Sequence, residues 1–221
     1  SESQEKLDSI YHNGNKLLHL VNQMLDLSRL DAGKIEVIVQ RFQIIQFLKI
    51  NIGIFQSLAR QKDIKIEVTY PQHEQWVATD PHMLEKIINN LISNAIKYTP
   101  AAGSITVNAR ISNDNLEFSV SDTGIGISSE VIDKIFDRFY RVSEDVEGTG
   151  IGLAVTKELT KLLNGTIEVS SEPGHGSEFR LRIPLSQDSD LFPVFGIEES
   201  RVDSLADGSI NSPALPVVSE Q

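Results

Sequence analysis

The chain has 221 residues, a formal net charge of -11, 40% hydrophobic residues and no cysteine. This composition fits one sizeable globular domain with accessory segments, and the missing cysteine excludes disulfides and thiolate metal sites. The acidic balance argues against a nucleic-acid partner, which needs a basic face, and no apolar run has the length to cross a bilayer. Since no signal peptide is visible either, we expect a soluble, cytoplasmic chain.

The chain begins with the pattern of a long amphipathic helix over residues 3–30. Apolar side chains recur at alternating spacings of three and four, which favours packing on a partner helix over packing on the chain's own core. The seam residues are Leu7, Ile10, Leu17, Val21 and Met24. Gly33 in "DAGK" is expected to end this helix.

The central segment alternates between strand and helix patterns. The predicted elements are a strand at 35–42, a helix at 44–61, and strands at 64–70 and 76–80. Asp80 followed by Pro81 indicates a helix start, because the carboxylate caps free amides and the proline ring suits the first turn. The helix that follows contains "NNLISNAIKYTP", residues 89–100.

The second half mixes hairpins with helices. The predicted elements are strands at 104–111 and 115–122, helices at 129–140 and 152–163, and a hairpin at 166–185. Together with the central elements, this order predicts an α/β (α+β) two-layer sandwich, with a mixed sheet and helices on one face. After Leu185 the pattern fails, and the acidic Ser/Pro-bearing remainder is interpreted as a linker or tail, although the apolar piece "LFPVFGI" could dock.

Two asparagines lie on one face of the helix that starts after Asp80. Asn90 and Asn94 are four residues apart, and Lys97 is three further on, so two amide oxygens and an ammonium group converge. Taken alone, the pattern also fits a solvated polar stripe.

Two glycine motifs follow. In "SDTGIGI", residues 121–127, Asp122 ends a strand and could accept a hydrogen bond from an exocyclic amine, while two glycines permit close approach of a ligand. In "GTGIGLAV", residues 148–155, three alternate glycines lead into a helix, so free amides and the positive helix end would face an anion such as phosphate. Each motif alone is also compatible with an ordinary turn.

The segment "IFDRFYR", residues 135–141, separates the two glycine motifs. Its aromatic residues are interpreted as packing a helix against the core. Arg138 and Arg141 are either solvated charges or, for an arginine just before a loop, a group that reaches a terminal phosphate.

In this order, the asparagine helix, Asp-Thr-Gly-Ile-Gly, Phe-x-x-Phe and Gly-x-Gly-x-Gly resemble the catalytic ATP-binding domain of bacterial sensor histidine kinases. The wider relatives are the gyrase, heat-shock chaperone 90 and mismatch-repair ATPases. The resemblance implies a Bergerat-type ATP-binding fold and three segments. These are residues 1–33, part of a dimerisation and histidine-phosphotransfer hairpin; residues 34–185, the catalytic domain; and residues 186–221, the linker or tail.

The resemblance also implies roles for individual residues. Asp122 would accept the adenine amino proton, Asn94 with Asn90 would ligate Mg²⁺, and Lys97 with Arg141 would face the phosphates. Asn94, Lys97 and Arg141 are thus the implied catalytic residues. The implied nucleotide-binding residues are Asn90, Asn94, Lys97, Tyr98, Asp122, Gly124, Gly126, Ile127, Arg141, Gly148, Thr149, Gly150, Ile151, Gly152 and Leu153.

The implied reaction is transfer of the γ-phosphoryl group of ATP to a histidine. The family's acceptor pattern, of the kind "HE-[L/I]-[R/K]-TP", does not occur here, and His12 and His19 lie on what resembles the second hairpin helix rather than the first. We therefore expect a chain that binds ATP but does not autophosphorylate alone. Implied partners are a second copy joined through the hairpin and a response-regulator receiver, separate or fused downstream, with membrane contact only through upstream segments.

Three alternatives stay open at this point. One is a nucleotide-binding scaffold without catalysis, and another is a serine kinase, against which the hairpin-like helix argues. The third is an ATP-gated dimer clamp, which needs a glutamate base four residues before its metal asparagine. That position holds Asn90 relative to Asn94, and Lys86 relative to Asn90, so hydrolysis is disfavoured.

Overall fold

The structure is a computed structural model, and its first described residues are helical. The residues it describes are 10, 14, 17, 18, 20–25, 27–30, 32, 33, 35–142, 148–186 and 192–195. All the described residues up to Leu30 are helical, whereas Leu7 and the predicted start of the helix lie outside the described residues. Gly33 has φ 60° and donates its N–H to the Leu30 carbonyl at 3.0 Å, so the predicted helix end is confirmed.

Seven strands, three further α-helices and one 3₁₀ turn follow within the described residues. They are β1 Gln40–Gln43, α1 Ile44–Gln61, β2 Lys65–Thr69, β3 Trp76–Thr79, α2 Pro81–Tyr98, β4 Ser104–Ser112, β5 Asn115–Asp122, the 3₁₀ turn Lys134–Phe136, α3 Gly152–Leu162, β6 Thr166–Glu172 and β7 Gly176–Pro184. Among these described helices, none is long and apolar enough to span a bilayer.

The main sheet has five strands in the order β2-β4-β5-β7-β6. β2 runs parallel to β4, and the other neighbours are antiparallel. Along β4, Ile105 and Val107 are fully buried whereas Asn108 and Arg110 are exposed, so one face carries the core and the other faces solvent. The predicted mixed sheet with helices on one face is therefore confirmed.

Helix α2 lies at the centre of the helical layer, between α1 and α3. Its start is built as predicted: Asp80 Oδ1 accepts the Met83 N–H at 3.0 Å, and Pro81 occupies the first turn. Asp80 Oδ2 also accepts the Ile38 N–H at 2.8 Å. One carboxylate thus fixes both the start of α2 and the chain that leads into β1.

Two predicted elements are wrong in extent or type. Residues 35–39 are irregular and only Gln40–Gln43 form a strand, paired with β3 in a separate two-stranded ribbon. The predicted helix at 129–140 is a series of turns around one 3₁₀ turn. Phe139 has φ 65° and donates its N–H to the Gly150 carbonyl at 2.8 Å, so this segment is held by a distant loop rather than by its own helical bonds.

The chain after β7 returns to the β1–β3 ribbon. Ser186 donates its N–H to the Ala78 carbonyl at 3.1 Å, and Val194 forms a parallel bridge with Arg41. Part of the apolar stretch "LFPVFGI" therefore docks on the domain. The rest of the predicted linker or tail lies outside the described residues.

Candidate active site

One cleft runs along the C-terminal half of α2 and has two halves. The apolar half is closed by Ile125, Ile127, Ile135, Leu153 and Phe179, around the polar side chains of Asn94, Asp122, Arg141 and Ser177. The polar half is lined by Asn90, Lys97, Gly148, Thr149, Gly150 and Gly152, with Leu20, Gln23 and Ser93. Asn94, Tyr98 and Leu153 line both halves, as do Ile135 and Tyr140, so the halves are contiguous.

Asp122 stands at the end of β5 and is only 7% exposed. Its Oδ1 accepts the Gly124 N–H at 2.8 Å. Burial raises the pKa of this carboxyl above its ordinary value, and backbone hydrogen bonds from Gly124 and Ser177 oppose that rise. The result is a partly desolvated acceptor facing an apolar pocket, which suits the amino group of a flat heterocycle.

Two glycines let the backbone pass beneath this carboxylate. A Cβ added to Gly124 would lie 2.6 Å from Asp122 Oδ1 and 2.5 Å from the Tyr98 carbonyl oxygen. Gly126 has φ 70°, and a Cβ there would lie 2.0 Å from the Glu172 carbonyl oxygen. Only glycine fits either position, because atoms of the chain itself occupy the space that a Cβ would need. Close approach of a ligand to these glycines stays a prediction.

The polar half gathers groups that favour an anion. A Cβ on Gly148 would lie 2.1 Å from Lys97 Nζ, so the ammonium group sits against the glycine loop. Lys97 Nζ also lies 4.8 Å from the centre of the Tyr98 ring and donates to the Tyr98 hydroxyl at 3.4 Å. The first turn of α3 begins at Gly152, and its amides add positive potential to the same space.

Tyr98 connects the two halves electrostatically. Burial raises the pKa of its phenol, and the positive charge of Arg141 opposes that rise. Arg141 is half-buried and lines the Asp122 half of the cleft. Lys97 and Arg141, the two charged residues near Tyr98, are thus within reach of a ligand that occupies the whole cleft.

Hydrogen bonds across segments fix the entrance to α3. Asn90 Nδ2 donates to the Gly152 carbonyl at 3.3 Å, which ties α2 to α3. Thr149 Oγ1 donates to Gln23 Oε1 at 2.7 Å and accepts the Ile151 N–H at 3.2 Å. The N-terminal helix therefore contacts the glycine loop directly.

The structure brings the predicted residues together around the cleft, with two of them set behind its wall. Ile151 is fully buried in the core below the loop, and Gly124 packs beneath Asp122. Among the cleft residues absent from the prediction, Ser177, Phe179 and Gln23 matter most. Ser177 reaches Asp122 through the β5–β7 register and Gln23 lies 126 residues before Thr149, so no local motif indicates either.

The side-chain oxygens in the polar half that could ligate a metal ion are neutral. Among the described residues, no cluster of three His, Cys, Asp or Glu side chains could hold a metal ion by itself. The amide oxygens of Asn90 and Asn94 are hard ligands that suit Mg²⁺ when phosphate oxygens and water complete its shell. The residues present therefore fit Mg²⁺ bound together with a nucleotide rather than a resident metal.

Comparison with known proteins places this cleft in a family. Residues 79–187 match the model described as "Histidine kinase-, DNA gyrase B-, and HSP90-like ATPase". Sensor histidine kinase TmoS of Ectopseudomonas mendocina is 35% identical over 187 residues, which cover 82% of this chain and 19% of that protein. Hybrid signal transduction histidine kinase D of Dictyostelium discoideum is 33% identical over 193 residues, covering 83% and 12%.

A solved structure gives the same result. The crystal structure of full-length ShkA in complex with AMPPNP matches with a TM-score of 0.74 and 30% identity, covering 84% of this chain and 39% of that one. The chain spans 19% and 12% of the length of the two curated relatives named above. Because the matched residues 79–187 include most of the cleft, this part of the chain is an ATPase domain of the family that histidine kinases share with DNA gyrase B and HSP90, of the ATP-binding catalytic kind found in sensor histidine kinases.

Proposed function

We propose that this domain transfers the γ-phosphoryl group of ATP to a histidine on another segment of a sensor kinase, for relay to a response-regulator aspartate. The observation that carries the proposal is the shared wall of the cleft. Asn94 and Tyr98 line both halves, with the Asp122 carboxylate in one and the Lys97 ammonium in the other. A ligand with an amine-bearing base and a phosphate chain matches both ends at once.

The Asp122 half selects the base. A carboxylate accepts hydrogen bonds and donates none, so it matches the adenine amino group and repels the guanine carbonyl oxygen at the same position. The surrounding isoleucines and Phe179 supply apolar contact for the ring. We therefore assign adenine recognition to Asp122, with Gly124 and Gly126 placing the backbone under the base.

The polar half positions the phosphates. The amides of the glycine loop and the start of α3 face the anion, and Lys97 adds a full positive charge. Arg141 lies beside Tyr98, so contact with a γ-phosphate requires its side chain to turn along that ring into the polar half. Phosphoryl transfer depends mainly on such positioning and charge neutralisation.

Asn90 and Asn94 are the residues that would hold Mg²⁺ through their amide oxygens. When bound, Mg²⁺ neutralises phosphate charge and orients the leaving group. Asn90 also bonds the Gly152 carbonyl, so the same side chain would keep the glycine loop in register with α2.

The acceptor histidine is proposed to lie elsewhere. His82 packs edge-on against Phe195, and His175 faces Glu172 at 3.8 Å, so both are engaged away from the cleft. His12 and His19 lie outside the described residues. We therefore keep the proposal that the chain does not autophosphorylate alone.

The N-terminal helix supports a partner helix in the full-length protein. Its side chains Ile10, Leu17 and Met24 are 69%, 63% and 54% exposed, which leaves an apolar stripe for helix pairing. We propose that this stripe belongs to a dimerisation hairpin. A downstream receiver domain is part of the same proposal, and the similarity to a hybrid kinase supports it.

Calorimetric titration with ATP, its non-hydrolysable analogue and GTP, each with Mg²⁺, tests the site. We expect micromolar binding of ATP, binding of GTP at least about tenfold weaker, and a loss of at least about tenfold for Asp122→Asn, since one well-placed hydrogen bond to a charged group has this magnitude. Asp63→Asn, in an exposed turn with φ 57°, is the matched control. Equal affinities for ATP and GTP, or an equal loss in the control, contradict the assignment.

A second assay tests the reaction. The chain is incubated with γ-labelled ATP, with and without a separately produced hairpin that carries the acceptor histidine. We expect acid-labile, alkali-stable label on the hairpin and none on the chain. Release of inorganic phosphate at the same rate without the hairpin would favour an ATP-gated clamp, and nucleotide binding without either product would favour a scaffold.

A further inference from the structure

Residues 192–195 lie beyond the family match, which ends at residue 187, yet they join the folded domain. Arg41 donates its N–H to the Pro193 carbonyl at 2.9 Å, and Phe195 donates its N–H to the Arg41 carbonyl at 2.9 Å. Val194 forms the parallel bridge between these two bonds. The segment therefore continues the ribbon as an added strand on the outer edge of β1.

Phe195 anchors this added strand. It is half-buried, and its ring lies 6.3 Å from that of Phe42 and 5.2 Å from that of His82, edge-on in both cases. Phe42 is 1% exposed and packs against Phe47 in the core, with the two ring planes tilted by 43°. Val194, one residue earlier, is 52% exposed. The segment thus has the alternation of a β-strand bound at a sheet edge, with one aromatic side chain pointing inward and its neighbour pointing outward.

The same chain covers both edges of the ribbon. Ser186 bonds Ala78 on the β3 edge, Ala78 pairs with Arg41 inside the ribbon, and Arg41 bonds the Val194 segment on the β1 edge. An uncovered strand edge pairs readily with any extended peptide. This row of four residues shows that the chain leaving β7 takes up both available edges.

We propose that the outer edge of β1, with the space between Phe42 and His82, is a docking site for the chain's own Pro193-Val194-Phe195 segment, and that docking directs the downstream polypeptide toward the Gln43 end of β1. The bridge between Val194 and Arg41 is parallel, so the segment runs in the same direction as β1, toward the start of α1. The irregular stretch 35–39, whose Ile38 amide is held by Asp80, enters β1 at its other end. The chain therefore enters and leaves the ribbon at opposite ends of β1.

The docking site lies at one end of α2 and the cleft at the other. His82 and Asn94 are twelve residues apart in this helix, which corresponds to about 18 Å at the usual helical rise. A domain attached after Phe195 would start from the side of the ribbon where β1 joins α1 rather than from the mouth of the cleft. This inference does not depend on the proposed phosphoryl transfer.

The contact is small enough to open. It consists of two backbone hydrogen bonds and one aromatic ring, which bind weakly between separate molecules. Within one chain the effective concentration of the segment is high, so the same contact forms readily and reversibly. Docking and release can thus occur while the five-stranded sheet and the cleft stay intact.

Amide hydrogen exchange on the full chain tests the proposal. Phe195→Ala should speed exchange at the Arg41 and Phe195 amides by about tenfold or more, with unchanged protection in the β4–β5 pairing and unchanged ATP affinity. The matched control is Val194→Ala, which removes the exposed neighbour and should alter neither amide. Unchanged exchange at Arg41 in Phe195→Ala overturns the proposal. Loss of protection throughout β4 and β5 also overturns it, because the segment would then be part of the core.

An optical measurement gives an independent answer. The chain has no cysteine and a single tryptophan, so Val194→Cys accepts one energy-transfer acceptor that reports on Trp76 of the ribbon. We expect strong transfer whose efficiency falls when Phe195→Ala is added. Because Ser186 stays bonded to Ala78, some transfer remains in the double variant, and an unchanged efficiency contradicts anchoring by Phe195.

Discussion

The two halves of the cleft are built differently. The Asp122 half is enclosed by strands and a helix, and Asp122 meets Ser177 because β5 and β7 pair in register. The polar half depends on a glycine loop held by side chains from distant segments, Gln23 and Asn90. Base recognition is therefore fixed by the sheet, whereas phosphate recognition depends on contacts that can be made and broken.

The rigidity of the Asp122 half is most evident at Gly126, so the largest effect on stability is expected from substituting this residue. Gly126→Ala should destabilise the fold by about 2–5 kcal/mol, because a left-handed conformation and a Cβ 2.0 Å from a carbonyl oxygen are both unfavourable. Gly174→Ala has a similar φ of 79° but nothing within 4 Å of its Cβ, and should lose only about 1 kcal/mol. Urea denaturation measures both, and equal losses would show that crowding at Gly126 is unimportant.

The polar half is probed by its ammonium group. Lys97→Met should weaken ATP binding by about 10- to 100-fold, the range for a hydrogen bond to a charged group, and leave adenosine binding unchanged. Lys161→Met, at an exposed ion pair with Glu158, serves as the matched control. Calorimetry with both ligands decides, and an equal loss of adenosine binding would place Lys97 at the base instead.

Asp122 should show a trade between stability and binding. Burial raises the pKa of the Asp122 carboxyl in the folded protein above 3.8, the value in the unfolded chain. The protonated carboxyl therefore favours the folded state, and this contribution to the free energy of unfolding, fully present below pH 3.8, is lost as pH rises through the folded pKa. Asp122→Asn stays neutral and should therefore raise the melting temperature of the free protein at pH 7 by a few degrees while ATP binding falls.

Thermal melts at pH 4 and pH 7 test this trade. The advantage of Asp122→Asn over the natural chain should shrink as pH falls from 7 to 4, because burial raises the pKa of the natural carboxyl and protonation removes the buried charge. A lower melting temperature for the variant at pH 7 would mean that the hydrogen bonds from Gly124 and Ser177 outweigh the burial of the charge.

The smallest effect is expected at the contact between the N-terminal helix and the loop. Gln23→Ala removes one partly buried hydrogen bond to Thr149 and should weaken ATP binding by about threefold. Asn22→Ala, at an exposed neighbouring position, should leave ATP affinity unchanged. If both variants bind ATP as the natural chain does, this hydrogen bond does not contribute to the phosphate half.

Local signals predicted the elements that have local causes. The bounds of α1 follow from its apolar spacing, and the start of α2 follows from Asp80 and Pro81. The predicted helix at 129–140 failed because its apolar residues pack as turns, held by a bond between Phe139 and Gly150 that the sequence does not indicate. The asparagine and glycine motifs gave most of the cleft for the same reason, since each is a short local pattern.

Long-range pairing supplied the rest. Ser177 and Phe179 enter the cleft only through the β5–β7 register, and Gln23 only through the position of the N-terminal helix. The sequence did not indicate where Phe195 docks, because an apolar stretch does not specify the surface that it packs against. Residues that complete a site across two segments are thus the ones that local patterns miss.

The β5–β7 pairing also has a consequence for the order of folding. Each of the two hairpins, β4–β5 and β6–β7, closes through a short turn, whereas their junction joins residues such as Asp122 and Ser177 that are far apart in the chain. Closing the longer loop loses more chain entropy, so the hairpins are expected to form before the junction. The base pocket is therefore absent from early species, and nucleotide can bind only after the last strands of the sheet have met.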